Sequence, residues 1–259
     1  MDLGLSGRIA LVTGASAGLG LASARALAAE GAIVAVTSRS AGRAAAAAAD
    51  VGSGARGFAC DATDPAARRA LVGQVEAELG PVDILVVNSG GPDAGRFESH
   101  TESAFTAVLD EHLGLFVALA QAVLPGMRAR NWGRIVAITS CAVKQPPEDM
   151  VLSNLARAAV GATARTLANE AAADGITVNS LLPGYTLTSR VHELAGQIAE
   201  RRGSSAEEVL AGWQAAIPAA RLCRPEEFAA VLAFICSTQA AYVNGVSLPV
   251  DGGWSRSLF

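Results

Sequence analysis

The chain contains six short runs of almost unbroken apolar, largely β-branched residues, and these constrain its fold more than any other feature. They are RIALV (Arg8–Val12), AIVAVT (Ala32–Thr37), DILVVN (Asp83–Asn88), RIVAIT (Arg134–Thr139), TVNSLL (Thr177–Leu182) and VSLPV (Val246–Val250). A strand with one wet face alternates apolar and polar residues; these do not alternate, so both faces must be buried. Between them lie Ala-rich helical stretches such as Leu19–Gly31, which closes on a glycine stop, and the long run Ser103–Met127. Strand and helix in alternation predict an α/β protein of three layers: a doubly wound, mainly parallel sheet with helices on both faces. The tract Ala44–Ala49 reads as helix rather than low-complexity coil.

No repeat or linker interrupts this rhythm over 259 residues, so one domain spanning 1–259 is expected. Only the segment 186–220 departs from it, being polar and helix-prone without a strand, as expected of a lid over a substrate. The net charge of −4 is scattered rather than blocked, which argues against a nucleic-acid groove or a membrane-surface patch. Cys60, Cys141, Cys223 and Cys236 lie far apart without ligand-like spacing, predicting reduced thiols, no metal site and a cytoplasmic protein. No leader pattern and no uninterrupted bilayer-length apolar run is read from the sequence.

The first strand runs into TGASAGLG, Thr13–Gly20. Gly14, Gly18 and Gly20 permit a tight turn and close approach of backbone N–H groups to a phosphate, with Ser16 and Leu19 inside the same loop and a helix N-terminus favouring the negative charge. At the end of the second strand, where binders of NAD place an acid for the ribose hydroxyls, stand Ser38 and Arg39. A donor and a fixed cation suit a 2′-phosphate, so NADP is the expected cofactor and NAD the alternative.

The motifs Thr13–Gly20, CDATD around Asp61, NSGG at Asn88–Gly91, ITS ending at Ser140, NSLLPGYTLT at Asn179–Thr188 and VDGG at Val250–Gly253 together resemble the short-chain dehydrogenase/reductase family, over nearly the whole chain. The resemblance implies a Rossmann fold and a homotetramer or homodimer built on the helices containing His112 and Arg157. It also implies adenine contacts from Asp61 and Ala62, a groove lined by Asn88 and Gly90, and a nicotinamide held by Pro183, Gly184 and Thr188. Members use an Asn, a Ser and a Tyr-x-x-x-Lys pair. Matched position by position, Ser140 stands at the Ser, His112 at the Asn, Ser153 at the Tyr and Arg157 at the Lys, a divergent pattern similar to β-ketoacyl-carrier-protein reductases with an SNxxR stretch.

These exchanges alter the expected chemistry. Arg157 has the donors to bridge ribose hydroxyls or polarise a substrate. Ser153, an alkyl alcohol, is a far weaker acid than a phenol, so a proton must come from elsewhere. His112 is the internal candidate, since imidazole titrates near neutral pH, and a packed helix histidine is the alternative. Tyr185, Glu148, Asp149 and Cys141 also fall near the expected site, and Lys144, the one lysine, reads as a surface charge. The expected activity is NADP-dependent interconversion of a carbonyl and a secondary alcohol on a small-molecule substrate. Non-redox chemistry (dehydration, isomerisation or cyclisation) on the same scaffold, or a silent nucleotide-binding protein, remain as alternatives.

Overall fold

The computed structural model describes residues 2–52 and 54–258. Seven parallel strands form one sheet in the order β3-β2-β1-β4-β5-β6-β7. They are β1 (Ile9–Val12), β2 (Ile33–Ser38), β3 (Arg56–Ala59), β4 (Ile84–Val87), β5 (Gly133–Ile138), β6 (Ile176–Pro183) and β7 (Ser247–Val250). Six of these coincide with the apolar runs of the sequence. The unforeseen one, β3, is an edge strand of four residues in which Phe58 alone is buried. It leaves no apolar run to read.

Successive residues of a strand point to opposite faces, and the sheet uses this to feed two cores. From β1, Ile9 and Leu11 enter one core with Phe116, Leu119 and Ile135. Ala10 and Val12 enter the other, with Leu27, Phe228 and Leu232. Helices α1 (Gly18–Ala29), α2 (Ala41–Val51), α3 (Pro65–Leu79), α5 (Leu115–Ala129), α6 (Val151–Ala171) and α9 (Pro225–Cys236) close these cores, while α4 (Glu102–Leu109) packs on α6 through Val108, Leu152 and Ala156, and α7 (Ser189–Arg202) and α8 (Ala206–Ala216) stand apart from them. Several caps are explicit: the Ser40 side chain accepts from Arg43 N–H at α2, Asp64 from Ala66 N–H at α3, and Thr188 from Val191 N–H at α7. The predicted Gly31 stop after α1 has φ +87°.

The segment 186–220 folds as two helices, α7 and α8, with a small core of their own around Ala195, Ile198, Ala199 and Val209. At the opposite end of the sheet, Trp132 lies beneath two cations, with Arg8 Cζ 3.8 Å and Arg134 Cζ 4.5 Å from its ring centre. The helical run Glu102–Ala129 has the length and hydropathy to cross a membrane. Its residues Leu115, Phe116, Leu119 and Val123 are packed into the protein core.

That run is not uniform. Asp110–Gly114 forms a π-helical turn between α4 and α5, a local widening that turns His112 inward. Buried Arg68 of α3 holds the turn, donating from Nη1 to the Asp110 carbonyl (2.8 Å) and from Nη2 to its carboxylate (2.6 Å). Gly114 makes room, because a Cβ there would lie 2.2 Å from Arg68 Nη1. Arg68→Ala is therefore expected to lower stability by roughly 1.5–3 kcal/mol, as for loss of a charge-assisted hydrogen bond. Asp110→Asn, which keeps the carbonyl acceptor on an exposed side chain, should cost under about 1 kcal/mol. Urea unfolding monitored by circular dichroism separates the two.

Candidate active site

Strand order reverses between β1 and β4, and the C-terminal ends of the strands there open a crevice that no crossover helix fills. A cleft of about 450 Å³ begins at this point and runs to helices α7 and α8. Gly14 and Gly18 both adopt φ +56°, a region costly to residues with a Cβ. A Cβ on Gly14 would lie 2.8 Å from the Asn88 carbonyl oxygen, and one on Gly20 would lie 2.4 Å from the Gly14 carbonyl oxygen. Gly14 and Gly18 thus shape the turn, while Gly20 lets the helix close on it. Asn88 stitches the loop to β4, donating from Nδ2 to the Gly14 carbonyl (3.0 Å) and from its own N–H to Thr13 Oγ1 (2.9 Å).

Helix α1 starts at Gly18, with Ala17 as an N-cap that offers no side-chain bond and no acid in its first turn. Its first N–H groups stand at the cleft, which Gly14, Ala17, Gly18 and Leu19 line. Ser16 and Gly20 do not line it and belong to the frame of the loop. At the β2 end, Ser38 is buried and Arg39 exposed; Arg39 has no ion pair among the described residues. Asp61 bonds Thr63 through both N–H (2.9 Å) and hydroxyl (2.8 Å), which hold its carboxyl below the usual carboxylate range, with Arg39 adding to the effect. Neighbouring Ala62 is half-buried against the core.

Further in, the cleft meets Ser89, Gly90, Ser140, Ser153 and Arg157. Ser140 Oγ accepts from Ala142 N–H at 3.1 Å, which fixes its rotamer at the start of a short 3₁₀ turn. Ser153 and Arg157 share one buried face of α6, as their spacing predicts. The other wall is formed by Pro183, Gly184, Thr188 and Tyr185. The Tyr185 ring stacks on Trp213 of α8 at 4.3 Å and meets Trp254 edge-on at 5.9 Å. Burial pushes the Tyr185 phenol up to about 12 and the Cys141 thiol to about 12, so neither ionises near neutral pH. Glu148 lines the cleft, whereas Asp149, at φ +60°, faces Arg96 and Arg202 at its mouth.

Two expectations from the sequence change in this setting. Arg157 remains a cation, although burial brings it down to about 10. Its Nη1 donates to Ser89 Oγ (3.2 Å) and the Ile138 carbonyl (3.1 Å), and its Nη2 to the carbonyls of Ser89 (3.1 Å) and Gly90 (2.9 Å). All four terminal N–H bonds end on protein, and the guanidinium ties the ends of β4 and β5 together. His112 is buried and held in the neutral form, where the sequence suggests an imidazole titrating near neutral pH. It is 2% exposed, does not line the cleft and bonds Ser89 Oγ through Nδ1 at 2.7 Å. Burial, with the charge of Arg157, pushes its pKa down to about 3. Ser89, which sequence reasoning passed over inside NSGG, is the residue that both contact. Its only signal was a hydroxyl one residue beyond Asn88 at the end of a buried strand.

A doubly wound sheet with a glycine loop and an uncapped helix at its switch point defines a dinucleotide-binding protein. A family model described as enoyl-(acyl carrier protein) reductase matches residues 14–255. The chain belongs to the short-chain dehydrogenase/reductase family. It is 34% identical over 251 residues to the 3-oxoacyl-(acyl-carrier-protein) reductase FabG of Escherichia coli (strain K12), covering 97% of this chain and 98% of that one. The L-sorbose reductase of Gluconobacter frateurii, solved with NADPH and L-sorbose, superposes with a TM-score of 0.92 at 34% identity over the full length of both chains. An actinorhodin polyketide ketoreductase solved with NADPH superposes with a TM-score of 0.92 at 31% identity, covering 96% of this chain and 98% of that one.

The environment of His112 has a measurable consequence. Its folded pKa of about 3 lies below the unfolded reference of about 6.5, so between these values the unfolded chain binds the extra proton. This contribution to stability is complete above about pH 6.5 and falls by roughly 1.4 kcal/mol per pH unit on acidification through that window. His112→Asn should flatten the slope of denaturation midpoint against pH between 6 and 4.

Proposed function

We propose that the protein is an NADP-dependent oxidoreductase of the 3-oxoacyl reductase type, interconverting a carbonyl and a secondary alcohol with an atypical set of polar residues. The observation that carries this reading is the open N-terminus of α1 behind the Gly14–Gly18 turn, with Arg39, which makes no ion pair among the described residues, just beyond the end of β2. A Cβ at Gly14 would collide with the Asn88 carbonyl, so the turn is kept free of side chains where a pyrophosphate would approach the helix. The β2 end presents a cation and no acid, which suits a 2′-phosphate. When bound, the cofactor supplies or accepts the hydride.

The remaining work falls to the chain. The α1 N–H groups hold the pyrophosphate, and Arg39 selects the phosphorylated ribose. Pro183, Gly184 and Thr188 flank the nicotinamide end. Ser140 orients the carbonyl oxygen, with the Ser153 hydroxyl, which has no partner among the described residues, beside it in the cleft. The Tyr185, Trp213 and Trp254 rings exclude water from the far wall. The relatives that are 3-oxoacyl, polyketide or sugar reductases support this substrate chemistry.

NADPH is expected to bind more tightly than NADH. Arg39→Ala should weaken NADPH by about ten- to a hundredfold, as for a charge-assisted contact of roughly 1.5–3 kcal/mol, and leave NADH nearly unchanged. Cofactor fluorescence titration reads both. Equal affinities in the unaltered protein would refute the NADP assignment. NADPH binding without oxidation by a panel of 3-oxoacyl thioesters and ketones would move the function to non-redox chemistry on the same scaffold.

A further inference from the structure

Arg190 stands in the first turn of α7, two residues past the Thr188 cap. That is an unfavourable place for a cation, because the N-terminal end of a helix carries a positive partial charge of its own. The charge of buried Arg157 opposes it as well. Its one ion pair among the described residues, with the exposed carboxylate of Glu193, is 3.7 Å long and offsets little of this. The side chain nevertheless lines the cleft and reaches across to the loop after β4, where Nη2 donates to the Pro92 carbonyl at 2.6 Å. Gly91 leaves it room, since a Cβ there would lie 3.2 Å from Arg190 Nε. The other guanidinium N–H groups have no hydrogen-bond acceptor among the described residues. Arg157 holds the same loop through the Ser89 and Gly90 carbonyls. The loop is thus tied by two guanidinium groups, a buried one with four bonds and a partly exposed one with a single bond that can be released.

The rims of the groove come together beside this crossing: a Cβ on Gly18 of α1 would lie 3.4 Å from Thr188 Cγ2 at the start of α7. Neither helix has an acid in its first turn. Two helix N-termini and a cation with spare donors therefore converge on one stretch of the cleft, an arrangement that an anion would stabilise. We propose that Arg190 is a further cofactor-binding residue, a strap that pairs with the pyrophosphate and, through Pro92, closes the groove over it. The proposal rests on the dinucleotide-binding reading above. Entry requires the release of one hydrogen bond. Once the groove is filled, the pyrophosphate supplies the acceptors that the protein leaves open and removes the repulsion among the positive groups, so the strap acts chiefly on escape. Its target is common to NADPH and NADH, whereas Arg39 meets only the 2′-phosphate.

The test measures binding rather than turnover, on the full-length protein by stopped-flow cofactor fluorescence. Arg190→Met, which keeps the apolar stem, should release NADPH about tenfold faster, with association changed by less than about threefold. NADH should be weakened by the same factor, in contrast to the NADPH-only effect of Arg39→Ala. Affinity of the unaltered protein should fall more steeply with ionic strength than that of the variant. Without ligand the variant should melt within about 3 °C of the unaltered protein, as expected when a partly exposed contact is lost. Unchanged dissociation, a loss confined to NADPH, or the same salt dependence in both proteins would each overturn the proposal. A larger drop in the ligand-free midpoint would overturn it too, by marking Arg190 as structural. If the unaltered protein binds neither cofactor, the dinucleotide reading fails and the strap with it; if it binds both and Arg190→Met binds them equally well, the strap alone fails.

Discussion

A parallel sheet buried on both faces can place polar chemistry only where its strands end. Every side chain along β1 and β4 is committed to one of two apolar cores, so the groups that meet a ligand must emerge at the carboxyl edge. The reversal of strand order between β1 and β4 leaves a gap there, and the glycine loop, Asn88 and the start of α1 fill its rim. The rest of the site is arranged around this gap: α6 brings Ser153 and Arg157 to it from one side, and residues of α7 and α8 line it on the other.

Arg157 shows how a buried cation is accommodated with no carboxylate in direct contact among the described residues, Glu111 acting on it only at a distance. Its terminal N–H groups are absorbed by three main-chain carbonyls and one hydroxyl, all at the ends of β4 and β5. Such dispersed acceptors stabilise the charge while fixing the geometry of the loop that follows β4. The same cation lowers the pKa of His112, so the neutral state of the imidazole is a property of the cluster and not of the ring alone. Replacing one member changes the chemistry of the others.

Much of the frame was legible in the sequence, because hydrophobic periodicity records burial directly: six of the strands, the Gly31 stop and the glycine loop could be read from it. β3 could not, since an edge strand with one buried residue carries almost no pattern. Ser140, Ser153 and Arg157 gather in one cleft as their positions implied. What they do there was less legible. The acceptors of Arg157 are main-chain carbonyls, which no residue type announces, and the depressed pKa of His112 arises from desolvation created by elements distant in sequence. The π-helical turn depends on Arg68, more than forty residues away along the chain. Ser89 lay within a quoted motif, but its importance comes only from which side chains converge on it.

The three tryptophans fall into two optical environments. Trp213 and Trp254 both touch Tyr185 in the wall of the cleft, while Trp132 sits under the guanidinium groups of Arg8 and Arg134 at the far end of the sheet. Emission from the first pair reports the solvent and occupant of the cleft. Emission from Trp132 reports the integrity of the scaffold. With Trp132 replaced by Phe, the remaining tryptophan emission would come from the cleft alone, giving an intrinsic, label-free signal for filling and emptying of the site.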